Sequence, residues 1–99
     1  MFFSVHTMSG DPDDLLNRKR QFMDPVVERL APAFGAIWSV TVRTEGGIAT
    51  YNLWESADGA REFTQHPDAI AANQQSGLPR PATFERYDAP EVTTYRGQA

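Results

Sequence analysis

The chain has 99 residues, 40% hydrophobic and 22% charged, with 9 Lys and Arg against 13 Asp and Glu and a formal net charge of −4. That balance predicts one folded domain over residues 1–99, and it argues against disorder and against a nucleic-acid surface, which needs clustered positive charge. Absence of Cys excludes disulfides, thiolate catalysis, iron–sulfur clusters and cysteine zinc sites; with no apolar run of membrane-spanning length and no basic leader at Met1–His6, a cytoplasmic protein is expected.

Phe2 to Met8 is apolar and β-prone and stops at Ser9-Gly10, so it reads as the first strand. Asp11-Pro12-Asp13-Asp14 is a helix start: a capping carboxylate, a proline suited to the first position, and acids at the positive end of the dipole. Leu15, Leu16, Phe22, Met23, Val26, Val27 and Leu30 recur at helical spacing. Pro25 lacks an N–H and clashes one turn back, so either one bent helix or two consecutive helices fits. Gly35–Thr44 and Ile48–Trp54 alternate about the turn signal Glu45-Gly46-Gly47 and form a hairpin. Ser56 opens a helix interrupted at Pro67, Asp68–Ser76 forms a further helix stopped by Gly77, and Thr83–Asp88 is a fourth strand. Residues 89–99 are a C-terminal arm or a frayed tail. The order β-α-β-β-α-β predicts an α+β, ferredoxin-like fold with a four-stranded antiparallel sheet and helices on one face. The bare opposite face would be an association surface.

Hairpin parity assigns the faces. Pairing Arg43 with Ile48 also pairs Thr41 with Thr50, Ser39 with Asn52 and Ile37 with Trp54. Val42–Ala49, Val40–Tyr51 and Trp38–Leu53 then share the other, wholly apolar and aromatic face. On strand one, Ser4, His6 and Met8 alternate against Phe3 and Val5. The mixed face, with hydroxyls, an amide and an indole but few Lys or Glu, reads as a pocket lining; a partly wet sheet face with no ligand is the alternative.

The segment Ile48-Ala49-Thr50-Tyr51-Asn52-Leu53-Trp54-Glu55-Ser56-Ala57-Asp58, leading to Phe63 and His66-Pro67, resembles the dimeric α+β barrel superfamily, and within it the antibiotic-biosynthesis monooxygenase type. The resemblance implies a homodimer joined through the apolar sheet face (Val40, Val42, Tyr51, Leu53), with a pocket between sheet and helices in each subunit. It also implies a monooxygenase that uses dioxygen on a phenolic or polyketide-type substrate, with no flavin, metal or other cofactor. Asn52 and Trp54 would then hold the substrate or a peroxy intermediate, and His6 would accept or relay the proton. Phe22 and Phe63 would enclose the ring, and Ser39, Thr41, Thr50 and His66 would complete the substrate site. Haem-degrading relatives need an Asn on strand one and a His on the helix after the Trp; here His6 and Phe63-Thr64-Gln65 break that pattern. A cyclase or lyase on the same scaffold needs a Tyr and a His around His-Pro, where this chain has Phe63 and Ala69. A non-catalytic dimeric binding module is the third reading.

The bland alternatives are definite. His6 could be a buried histidine satisfied by backbone, and His66 a helix cap in place of a pocket-mouth residue. Trp54, Phe22 and Phe63 could be core. Arg43, near the turn, could be solvent-exposed or could bind an acidic substrate at the rim. The two histidines have no carboxylate cluster near them in sequence and make a poor metal site.

Overall fold

Alternating residues from Phe2 to Ser9 form β1, and Asp11 then caps the first helix, its carboxylate accepting from the Asp14 N–H at 2.9 Å. The computed structural model describes residues 1–95. Helix α1 (Pro12–Arg18) passes into a π-helical turn at Lys19–Met23 and continues as α2 (Asp24–Leu30). Pro25 therefore neither splits the helix nor simply bends it. The turn before it is widened by one residue, and the Asp24 N–H bonds the Lys19 carbonyl five residues back. A proline's missing N–H and its clash one turn back are accommodated where the hydrogen-bond ladder is already shifted.

A short 3₁₀ turn (Ala31–Phe34) ends at Gly35, whose φ of 93° is left-handed. Strands β2 (Ala36–Thr44) and β3 (Gly47–Trp54) follow, then α3 (Ala57–Gln65), α4 (Pro67–Ser76) and β4 (Thr83–Asp88). The sheet is four-stranded in the order β2-β3-β1-β4, with every pairing antiparallel. This is the ferredoxin-like α+β arrangement. Of the expected arm or tail, residues 89–95 carry no helix or strand and 96–99 lie outside the described residues.

The hairpin register places Thr41 opposite Thr50, Ser39 opposite Asn52 and Arg43 opposite Ile48. One pairing differs from the parity argument: Ala36, not Ile37, faces Trp54, because an irregularity between Ala36 and Trp38 inserts a residue there. The glycines also serve a different purpose from a left-handed hairpin turn. Neither Gly46 nor Gly47 has a positive φ. Gly47 is required by proximity, since a Cβ there would lie 1.9 Å from the Met8 carbonyl oxygen.

Two apolar clusters pin the helices to the sheet at its opposite ends. Leu15, Leu16 and Ile48, with Met8 beside them, form one. Ala31, Trp54, Ala60, Phe63 and Ala69, with Phe2 and Val27 packed on, form the other. Helix α4 packs against the π-helical turn, and its small buried residues Ala69, Ala72 and Ser76 permit the close approach. The face away from the helices exposes Val40, Val42 and Tyr87. Leu53 on that same face is only 2% exposed. Its neighbours on either side, Phe3 and Trp38, lean together until their rings are 6.2 Å apart, although two strand spacings are about 9–10 Å.

Candidate functional site

Between the two apolar clusters the helix-facing side of the sheet is polar. One cross-strand row runs Thr41–Thr50–His6, and the next runs Ser39–Asn52–Ser4. Their hydroxyls and amide are tied together: Thr41 and Thr50 share a hydrogen bond of 3.1 Å between their Oγ1 atoms, and Asn52 Nδ2 donates to Ser4 Oγ at 3.3 Å. Thr50 and Ser4 are buried, as groups at the base of such a band can be only when hydrogen-bonded.

A cleft opens over this band, between the first helix and β2. Its larger part, about 390 Å³, is lined by Leu16, Lys19, Arg20, Asp24, Val27, Glu28, Ser39 and Thr41. Small-molecule pockets span roughly 300–1,000 Å³. An adjoining part of about 180 Å³ shares Val27, Glu28 and Ser39 and reaches Asn52 and Trp54. Trp54 borders this smaller part while its ring packs on Phe63, 5.6 Å between centroids. Its indole N–H has no protein acceptor among the described residues.

The sequence-derived candidates separate into two groups. Ser39, Thr41, Asn52 and Trp54 line the cleft. Thr50 lies beneath it, holding Thr41. His6 shares the row of Thr50, stacked on Phe84 at 5.7 Å. Burial holds its pKa below the ordinary histidine value, and the positive charge of Lys19 adds to the shift, so the neutral imidazole is favoured. Phe22, in the π-helical turn, is half-buried and does not line the cleft. Phe63 lies in the core behind Trp54, with Phe34 at 6.2 Å. His66 caps α4, its Nδ1 accepting from the Asp68 N–H at 3.0 Å. Arg43 is paired with Asp13 at the start of α1.

Lys19 and Asp24 were not legible as site residues. Five positions apart, they diverge on a helix of 3.6 residues per turn, yet the π-helical turn joins them with Nζ to Oδ1 at 2.6 Å. Pro25 was the available signal, because it marks where the helix must deviate. Among the described residues no group of three His, Asp or Glu side chains converges to hold a metal, and no helix is long and apolar enough to cross a membrane.

The chain superposes along nearly its full length on solved structures. It matches HapK from Hahella chejuensis with a TM-score of 0.74 at 9% identity, covering 98% of this chain and 100% of that one. A Caulobacter crescentus protein provisionally named an antibiotic biosynthesis monooxygenase gives 0.70 at 21% identity, covering 91% and 90%. SnoaB, a cofactor-independent oxygenase from Streptomyces nogalater solved as a point mutant, gives 0.58 at 16%, covering 92% of each chain. The fold is that of the antibiotic-biosynthesis monooxygenase-like proteins. No protein-family profile matches the sequence, and no curated protein matches it significantly. At these identities the likeness to the monooxygenase-like structures concerns the fold, and the chemistry has to be argued from the cleft.

Proposed function

We propose that the protein is a cofactor-independent monooxygenase acting on a phenolic or polyketide-type molecule bound in the cleft between the first helix and β2. The observation that carries this reading is the polar band: Ser39, Thr41 and Asn52, with Trp54 beside them, line the cleft under a helical roof between two apolar clusters. Such a site suits a flat molecule with a few oxygen atoms. The fold it shares with SnoaB, named a cofactor-independent oxygenase, adds support.

The reaction needs little from the protein beyond binding and proton management. Loss of one proton from a ring CH₂ group leaves an electron-rich phenolate-type anion, which passes one electron to dioxygen, and the two radicals combine as a peroxide on that carbon. Loss of the remaining C–H proton breaks the O–O bond, leaving a carbonyl and water. The CH₂ group supplies all four electrons that dioxygen accepts, so no external reductant enters. In this reading Asn52 and Trp54 donate to the substrate or peroxide oxygens. Neutral His6, behind Thr50, is the base to which that first proton, lost from the CH₂ group or from its phenol tautomer, can pass.

We further propose a cytoplasmic homodimer joined through the face bearing Val40, Val42 and Tyr87, where apolar side chains are exposed. The deciding experiment is oxygen consumption with an anthrone-type phenol. One dioxygen should disappear per carbonyl formed, and Asn52→Ala should slow uptake by about 10²-fold, the typical loss of one directed donor. Trp54→Phe is the companion variant, because Trp54 is core on its other face. Product formed without oxygen uptake, or binding with no turnover, would overturn the proposal.

A further inference from the structure

We infer that Lys19 is the anion anchor of the cleft: its ammonium, swung over the hydroxyl band by the π-helical turn, holds the ionised oxygen of a phenol-class ligand, with Asp24 fixing its position. The inference rests on the function proposed above and names the form in which the substrate is held.

Lysine is among the residues least often buried, yet the Lys19 side chain is only 24% exposed, and its partner Asp24 only 29%. A lysine whose sole task was to cover apolar surface would carry its charge out to water; this one lines the cleft. An ammonium has three N–H donors, and Asp24 accepts one, so donors remain for a ligand oxygen. The facing strand offers Ser39 and Thr41, hydroxyls that can hydrogen-bond a ring oxygen without competing for the charge. Finally, of the neighbouring cations, Arg43 lines neither part of the cleft, and Arg20, which lines it beside Lys19, is exposed where Lys19 is half-buried. The field of Lys19 reaches the sheet, since it disfavours the charged form of His6. A phenol oxygen in direct contact with the Lys19 ammonium would be favoured in its ionised form.

The geometry has a sequence origin. Pro25 imposes the shifted ladder, the shifted ladder joins positions 19 and 24, and α4 backs the turn with Ala69, Ala72 and Ser76. The ionisable groups lining the ligand position are Lys19, Arg20, Asp24 and Glu28 from the helix, and His6 stands behind Thr50 on the sheet. Comparisons between variants are therefore made at matched pH.

The test uses 4-nitrophenol, whose phenolate and phenol absorb at different wavelengths. Its affinity for the full-length protein is measured on both sides of its ionisation, alongside Lys19→Met, Lys19→Arg and Asp24→Asn, each checked for an intact fold by circular dichroism. The wild-type protein should bind phenolate about tenfold more tightly than phenol, a difference of about one pKa unit in the bound probe. Lys19→Arg should retain the preference, Asp24→Asn should retain or enlarge it, and Lys19→Met should abolish it. Equal affinity of the wild-type protein for both forms, no binding at millimolar probe, or a preference that survives in Lys19→Met would overturn the inference. Oxygen uptake separates the two claims. A Lys19-dependent preference without uptake from any phenol removes the oxygenase reading and keeps the anchor. Uptake unchanged in Lys19→Met removes the anchor and keeps the oxygenase.

Discussion

Replacing Gly47 with alanine should be severe, while the same change one residue earlier should be harmless. At Gly47 the new methyl would sit 1.9 Å from the Met8 carbonyl oxygen and 2.9 Å from its carbonyl carbon. Both are backbone atoms of the adjacent strand, so β1 and β3 must separate by more than an ångström. The separation falls on the Met8–Ile48 pairing and on the cluster of Leu15, Leu16 and Ile48 behind it. Overpacking costs typically 1–3 kcal/mol, and a clash with backbone belongs at the upper end, about 3 kcal/mol. For a domain of about 100 residues that lowers Tm by roughly 12–24 °C. At Gly46 a methyl meets nothing within 4 Å, and φ is not positive, so Gly46→Ala should be neutral or add about 0.4–1 kcal/mol by restricting the unfolded chain. Thermal unfolding followed by circular dichroism reads both. A Gly47→Ala protein melting within about 3 °C of wild type, or a Gly46→Ala protein equally damaged, would show that proximity to β1 is not why a glycine stands there. Because β3 also carries Thr50, Asn52 and Trp54, Gly47→Ala should weaken ligand binding as well.

Phe63→Ala should cost about 3–5 kcal/mol, as loss of a buried aromatic does, and urea unfolding should show a lower midpoint. His66→Ala removes the cap of α4 and should cost about 1 kcal/mol, with ligand affinity in isothermal titration unchanged. His6 makes stability depend on pH in a definite sense. Its folded-state pKa lies below the unfolded value of about 6.5. The stabilisation from neutral His6 is therefore full above that value and is lost as pH falls from there through the folded pKa. His6→Phe, which keeps a ring against Phe84, should show a smaller fall in Tm than wild type between about pH 7 and pH 5; parallel curves would rule out this role for His6.

Strand parity was legible because a side-chain period of two leaves few alternatives. Once Glu45-Gly46-Gly47 was read as the bend, Ser39, Thr41, Thr50 and Asn52 had to share a face, and they do. The helices were less legible. A 3.6-residue stripe reports that Phe22 and Phe63 face inward but not whether core or cleft receives them, and Phe63 went to the core. His66 before Pro67 carried two compatible readings, and the local hydrogen bond to the Asp68 N–H is the one formed. The Lys19–Asp24 pair was hidden because its spacing is wrong for an ordinary helix. Pro25 indicated that something had to change there, but the form of the change depended on α4 packing against the turn.

The arch that Phe3 and Trp38 make over Leu53 has a consequence for the surface the chain presents. The middle of the outer sheet face is sheltered within the single chain, because its own aromatic rings already roof it. What the rings leave uncovered is the rim of Val40, Val42 and Tyr87, so the proposed pairing of two copies would have to draw on that rim and not on Leu53.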